Sequence, residues 1–116
     1  MKLEQLEPQF IKYETTENGE IIDPRNIPLG QAQGLWFLCP KCYAANNGPI
    51  GTHACEVSFA GRGVLDHQGS HNKDGKPVRW NVSGSGLGDL TLTPSVLLEG
   101  GCAWHGFITN GEISTV

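Results

Sequence analysis

The residues of this 116-residue chain best suited to chemistry are two short pairs, Cys39-Pro40-Lys41-Cys42 and Cys102-Ala103-Trp104-His105. A Cys-x-x-Cys spacing in a tight turn aims two thiolates at one ion, and Cys-x-x-His does the same with a thiolate and an imidazole. Gly100 and Gly101 before the second pair and Gly106 after it favour a tight turn there. Together the pairs predict a tetrahedral Cys3His set, Cys39, Cys42, Cys102 and His105, holding Zn2+. A closed shell of four protein ligands leaves no position for water or substrate, so the expected ion fastens the fold rather than catalysing a reaction. Folding and metal affinity are then coupled. A [2Fe–2S] cluster accepts the same ligands. A redox role for the Cys-x-x-Cys pair is disfavoured, because redox pairs open a helix in a βαβ unit and Asn46-Asn47-Gly48-Pro49 marks a turn.

Other chemistry-bearing residues carry weaker signals. Cys55 lies two residues after His53, which admits a Cys–His nucleophile pair, but burial of a small thiol is the commoner outcome. His53 is alternatively a partner behind the metal ligands, and Cys55 stays open as an alternative ligand. His67 and His71 fall in a polar stretch and read as solvated loop residues. The glycine-rich Gly84-Ser85-Gly86-Leu87-Gly88 lacks the lysine and following helix of a phosphate loop and reads as a turn. Trp36, Trp80 and Trp104 read as core residues, with Trp104 shielding the metal.

Strands must position these groups. Leu35-Trp36-Phe37-Leu38 is a short apolar run leading into Cys39, and Val96 to Leu98 does the same before Cys102. Ala54 to Phe59, Arg79 to Val82 and Leu90 to Thr93 are further strand candidates, and Gly61 to Lys76 reads as a surface loop. Phe107-Ile108-Thr109 and Glu112-Ile113-Ser114 flank Asn110-Gly111, a pair suited to the positive φ angles of a type I′ hairpin. No stretch of eleven residues keeps a helical period. The expected fold is mainly β, a small zinc-ribbon-like single domain over residues 35–116 preceded by an extended arm, residues 1–34.

That arm holds six acids (Glu4, Glu7, Glu14, Glu17, Glu20, Asp23) against three bases, and Pro8, Pro24 and Pro28 break any long helix. Its β-prone runs, Phe10 to Tyr13 and Glu20 to Ile22, flank Asn18-Gly19 and suit a loose hairpin. Phe10, Ile11, Tyr13, Ile21 and Ile22 need a surface to cover them, which leads to the expectation of self-association or a protein partner.

Composition narrows the function. With 38% hydrophobic residues, 16 Gly and 7 Pro, the chain supports one thin core that gains from a metal fastener. A net charge of −4 and only 17% charged residues give no field for phosphates, so nucleic acid is unfavoured unless Lys41, Arg62, Lys73, Lys76 and Arg79 gather on one face. No apolar run nears the roughly 20 residues needed to span a bilayer, and the N-terminus lacks a signal-peptide stretch. A cytoplasmic protein without a membrane role is expected.

Phe37 to Asn46, Gly51-Thr52-His53, the stretch from Trp80 to Thr91, and Gly101 to Gly111 together resemble small bacteriophage and prophage proteins often labelled ammonia monooxygenases. The label implies copper-dependent oxidation in a membrane complex, whereas this chain has neither the spans nor a histidine-rich site for soft metals. Asp89-Leu90-Thr91-Leu92-Thr93-Pro94-Ser95, followed by Cys102 and His105, is also similar to an uncharacterised domain family found beside bacterial ubiquitin-like conjugation genes. That resemblance implies metal binding. The expected function is a non-enzymatic, zinc-stabilised phage or prophage protein acting through protein contacts, as a virion component or against a host factor. The alternative is a small zinc-dependent hydrolase with an open coordination position.

Overall fold

A computed structural model describes the backbone at residues 1–16, 19–23 and 27–116, and side chains at 1–13 and 27–116. The protein is mainly β, and the described residues form three antiparallel sheets and one short α-helix. The first sheet has the order β2-β1-β3-β4, from strands β1 (Gln9–Thr16), β2 (Gly19–Asp23), β3 (Gly34–Leu38) and β4 (Ala54–Ser58). Helix α1 (Pro40–Asn46) connects β3 towards β4; Cys39 is its N-cap, Pro40 occupies its first turn, and Asn47 ends it in a left-handed conformation. Strands β5 (Asn81–Ser83) and β6 (Thr91–Thr93) form a two-stranded ribbon. Strands β7 (Val96–Leu97), β8 (His105–Thr109) and β9 (Glu112–Thr115) form the third sheet in that order.

The expected hairpin at Asn110-Gly111 is present: both residues have positive φ, 49° and 75°, as a type I′ turn requires, and it joins β8 to β9. The strand expected at Leu35 to Leu38 is β3, but it is not buried on both faces. Leu35 and Phe37 point into the core while Trp36 and Leu38 are half-buried on the other side. Trp80 and Trp104 are the core tryptophans; Trp36 instead donates its indole N–H to Glu56 Oε1 at 3.2 Å. Gly106 lies within β8 rather than in a turn, and it is glycine because a Cβ would run into the Trp104 ring and the Ser114 carbonyl.

One core joins all three sheets, with Leu35, Phe37, Val57, Trp80, Leu92, Val96, Trp104 and Ile108 among its members. Phe37 and Trp104 meet edge to face, with ring centroids 5.9 Å apart. Residues of the expected arm enter this same core: Leu3, Leu6, Phe10 and Ala32 belong to it, Ile11 is buried as well, and β1 pairs with β3. Leu3 N–H donates to Gly111 O and Ile113 N–H to Met1 O, which ties the N-terminus to the last hairpin. Phe10, Ile11 and Tyr13 are therefore covered by this chain itself. β1 and β2 pair as the hairpin reading expected, whereas Asn18 of its turn, like the side chains of Ile21 and Ile22, lies outside the described residues. Among the described residues no helix is long and apolar enough to cross a membrane.

Candidate metal centre and serine–histidine pair

The β3–β4 register places the first cluster. Cys39 follows β3 and His53 precedes β4, and Cys39 N–H donates to His53 O at 2.9 Å, so the two residues stand opposite each other. Cys42 lies one turn into α1, on the side of its N-cap. Cys102 arrives on the turn before β8, in which Gly101 and Ala103 have positive φ and Ala103 N–H donates to Gly100 O. The ligand atoms of Cys39, Cys42, His53 and Cys102 all lie within 4.8 Å of one another. The Cys42 and Cys102 sulfurs are in direct contact, and their Cα atoms are 7.2 Å apart. That separation exceeds the roughly 4.4–6.8 Å usual for a disulfide. Three sulfurs and one imidazole at this spacing form a donor set that could hold a metal ion.

Three of the four residues expected as ligands thus come together, with His53 beside them. His105 is not in this group. The physical reason is local: Cys102 sits in a turn, but β8 starts at His105, with Trp104 turned into the core and His105 half-buried on the opposite face. The second half-site is therefore not a compact knuckle. The first is a helical turn, so the Cys-x-x-Cys pair does open a helix, though one of seven residues and not a βαβ crossover.

Cys55 is buried beside Cys39 and outside the ligand group. Burial, followed by the proximity of Cys39 and a hydrogen bond to it, pushes the Cys55 thiol up to about 12. A thiol so firmly protonated is a packing partner and weak donor to Cys39, not a nucleophile.

His105 belongs to a second arrangement. In the β7–β8 pairing Leu97 stands opposite His105 and Val96 opposite Gly106, so Ser95, two residues before Leu97, is the diagonal neighbour of His105 on the same face. His105 Nε2 lies 3.1 Å from Ser95 Oγ. The Ser95 carbonyl accepts the indole N–H of Trp80 at 3.1 Å, which fixes the backbone of the serine against a buried ring. Among the described residues no carboxylate is hydrogen-bonded to His105, so the arrangement is a pair rather than a triad. Ser95 faces a cavity of about 600 Å³ between β4 and β7, whose wall also includes His53, Trp80, Leu97 and Gly101. His53 of the cluster and Ser95 therefore line the same groove.

The remaining candidates have structural partners. His71 Nδ1 lies 3.0 Å from Gly69 O and its Nε2 2.7 Å from Asp66 O, which pins the 65–71 loop. The guanidinium of Arg79 donates to the carbonyls of Leu65, Gln68, Ser70 and Val78, and that of Arg62 to Leu29 and Ala32. Both arginines therefore point inward. In the glycine-rich turn the amides of Ser85 and Gly86 and the Ser85 hydroxyl donate to the Asp89 carboxylate, holding its pKa below the usual range and occupying the donors a phosphate would need.

A protein-family model described as "Bacterial ubiquitination-like system serine protease (BubE)" matches residues 12–116. No curated protein and no solved structure matches the chain. The match spans nearly the whole sequence, and the chain belongs to this family. Membership agrees with the resemblance to a domain found beside ubiquitin-like conjugation genes. It overturns the expectation of a non-enzymatic phage or virion component, because the family is one of proteases. The hydrolase alternative comes nearer.

Proposed function

We propose, from membership of that family, that the chain is a serine hydrolase that cleaves a polypeptide of a bacterial ubiquitination-like system, with Ser95 as nucleophile and His105 as general base. The observation that carries the reading is the 3.1 Å contact between Ser95 Oγ and His105 Nε2 at the wall of a substrate-sized cavity. His105 Nε2 takes the hydroxyl proton as Ser95 Oγ attacks the scissile carbonyl carbon. The tetrahedral adduct then expels the amine, to which His105 returns the proton, leaving an acyl-serine. Water, deprotonated by the same imidazole, hydrolyses that ester and restores the pair. The Trp80 indole anchors the Ser95 carbonyl and so fixes the backbone position from which the hydroxyl is presented.

Cys39, Cys42, His53 and Cys102 fit Zn2+ by number, type and spacing. With four protein ligands the ion supplies structural cross-linking, tying the β3–α1 junction, the start of β4 and the β7–β8 turn together. Hydrolysis rests on the serine. The protein partner expected from the sequence is, in this reading, the substrate.

The test is hydrolysis of p-nitrophenyl acetate by the purified protein and two variants. Ser95→Ala should abolish turnover, and His105→Ala should lower it by at least about 10²-fold, the scale of general-base assistance. Turnover retained in Ser95→Ala would overturn the assignment.

A further inference from the structure

We propose that the groove beside Ser95 receives its substrate as an extended polypeptide segment that adds a strand to the free edge of β7; this rests on Ser95 being the nucleophile. β7 is the edge of its sheet. Leu98 N–H donates to Trp104 O at 3.0 Å, so the alternation of an antiparallel ladder directs Val96 to β8 as well and turns the N–H and C=O of Leu97 outward. The backbone of His105, opposite Leu97, agrees: its carbonyl accepts Val116 N–H on the β9 side at 3.0 Å. Leu97 lines the cavity, and its side chain is 44% exposed on the face that carries Ser95. An unpaired edge with an exposed leucine, two residues from the nucleophile, is a template for strand addition.

The opposite wall is a poorer template. β4 is also an edge, but the Glu56 carbonyl accepts the Ser70 hydroxyl and the Ala54 carbonyl lies 3.3 Å from His53 Nδ1. The arginine of the groove is engaged as well, and its two glutamates already accept hydrogen bonds. Glu56 accepts from Tyr13 and Trp36, Glu99 accepts Lys73 N–H at 2.7 Å, and Arg79 is taken up by backbone carbonyls. An acidic ligand finds no free guanidinium there, whereas a peptide backbone finds a donor and an acceptor at Leu97, two residues from Ser95. An apolar side chain of the peptide, opposite Leu97, gains a cross-strand contact.

The test uses diphenyl phosphonate probes carrying tails of one to four alanines, with the rate of Ser95 modification followed by intact mass. The rate should rise with tail length, by about tenfold at the residue that reaches Leu97. Leu97→Pro removes the outward N–H without removing a ladder bond, a substitution that edge strands accept, and should collapse the ratio of long-tail to short-tail rates. Leu97→Ala keeps the N–H and should keep the length dependence. N-methylation of the tail amide that faces the Leu97 carbonyl should slow the wild-type protein and Leu97→Ala alike, which decides the matter even if Leu97→Pro fails to fold. Rates independent of length, or length dependence untouched by N-methylation, would overturn strand addition and leave the nucleophile standing. Failure of every probe to modify Ser95 would overturn both.

Discussion

Replacing each of two histidines separates the cysteine–histidine cluster from the proposed Ser95–His105 pair. His53→Ala removes one of four ligand atoms that lie within 4.8 Å of one another, whereas His105→Ala removes the partner of Ser95 and none of that group. Structural zinc binds with roughly 10–16 kcal/mol of apparent free energy. Divided over four ligands this is about 2.5–4 kcal/mol each, and water entering at the exposed His53 position recovers part of it. His53→Ala should therefore weaken zinc by about 10²-fold, and His105→Ala by less than about threefold, within surface-mutation scatter. Purification without chelator, elemental analysis for zinc per chain, and competition with a chromogenic chelator give both numbers. Zinc lost from His105→Ala and retained in His53→Ala would refute the placement and restore the ligand set read from sequence spacing.

Trp104→Ala deletes a buried ring that packs on Phe37 and should cost about 3–5 kcal/mol, read as a fall of more than ~10 °C in the melting temperature; a fall of a degree or two would mean that the ring is not a core element. Gly111→Ala places a Cβ at φ 75° against the Gly88 carbonyl and should cost about 1–3 kcal/mol by urea denaturation, against an unchanged midpoint if the turn is tolerant. Burial, and then the nearby Glu56, raise the Tyr13 phenol well above 10.0, so folding favours its neutral form. This stabilisation is complete below about pH 10 and is lost as pH rises above it. The urea midpoint should therefore fall more steeply from about pH 9 to 11 in wild type than in Tyr13→Phe; parallel slopes would contradict it.

The strands were legible because their signals are local. Alternation and Asn110-Gly111 define the last hairpin without reference to the rest of the chain, and Leu35 to Leu38 declares a strand by composition. The cysteine–histidine cluster was legible only in part. Cys39 and Cys42 meet through a helical turn that spacing encodes, but His53 reaches them through the β3–β4 register, and no spacing rule carries that. The equal spacing of Cys102 and His105 misleads, because a turn ends and a strand begins between them. Ser95 and His105 form a diagonal pair across a hairpin whose first strand is only two residues long, so the pairing emerges from geometry alone. The arm showed its apolar residues but not their destination, since Leu3 and Leu6 are buried against segments distant in sequence.

The most direct test of the hydrolytic pair is covalent titration with a fluorophosphonate, followed by peptide mapping of the adduct. Wild-type protein should take up one equivalent on Ser95, His105→Ala should react at least about 10²-fold more slowly, and Ser95→Ala should remain unmodified while retaining its zinc. An adduct on any other residue, or a wild-type protein that stays unmodified with its metal site intact, would contradict the assignment of Ser95 and His105.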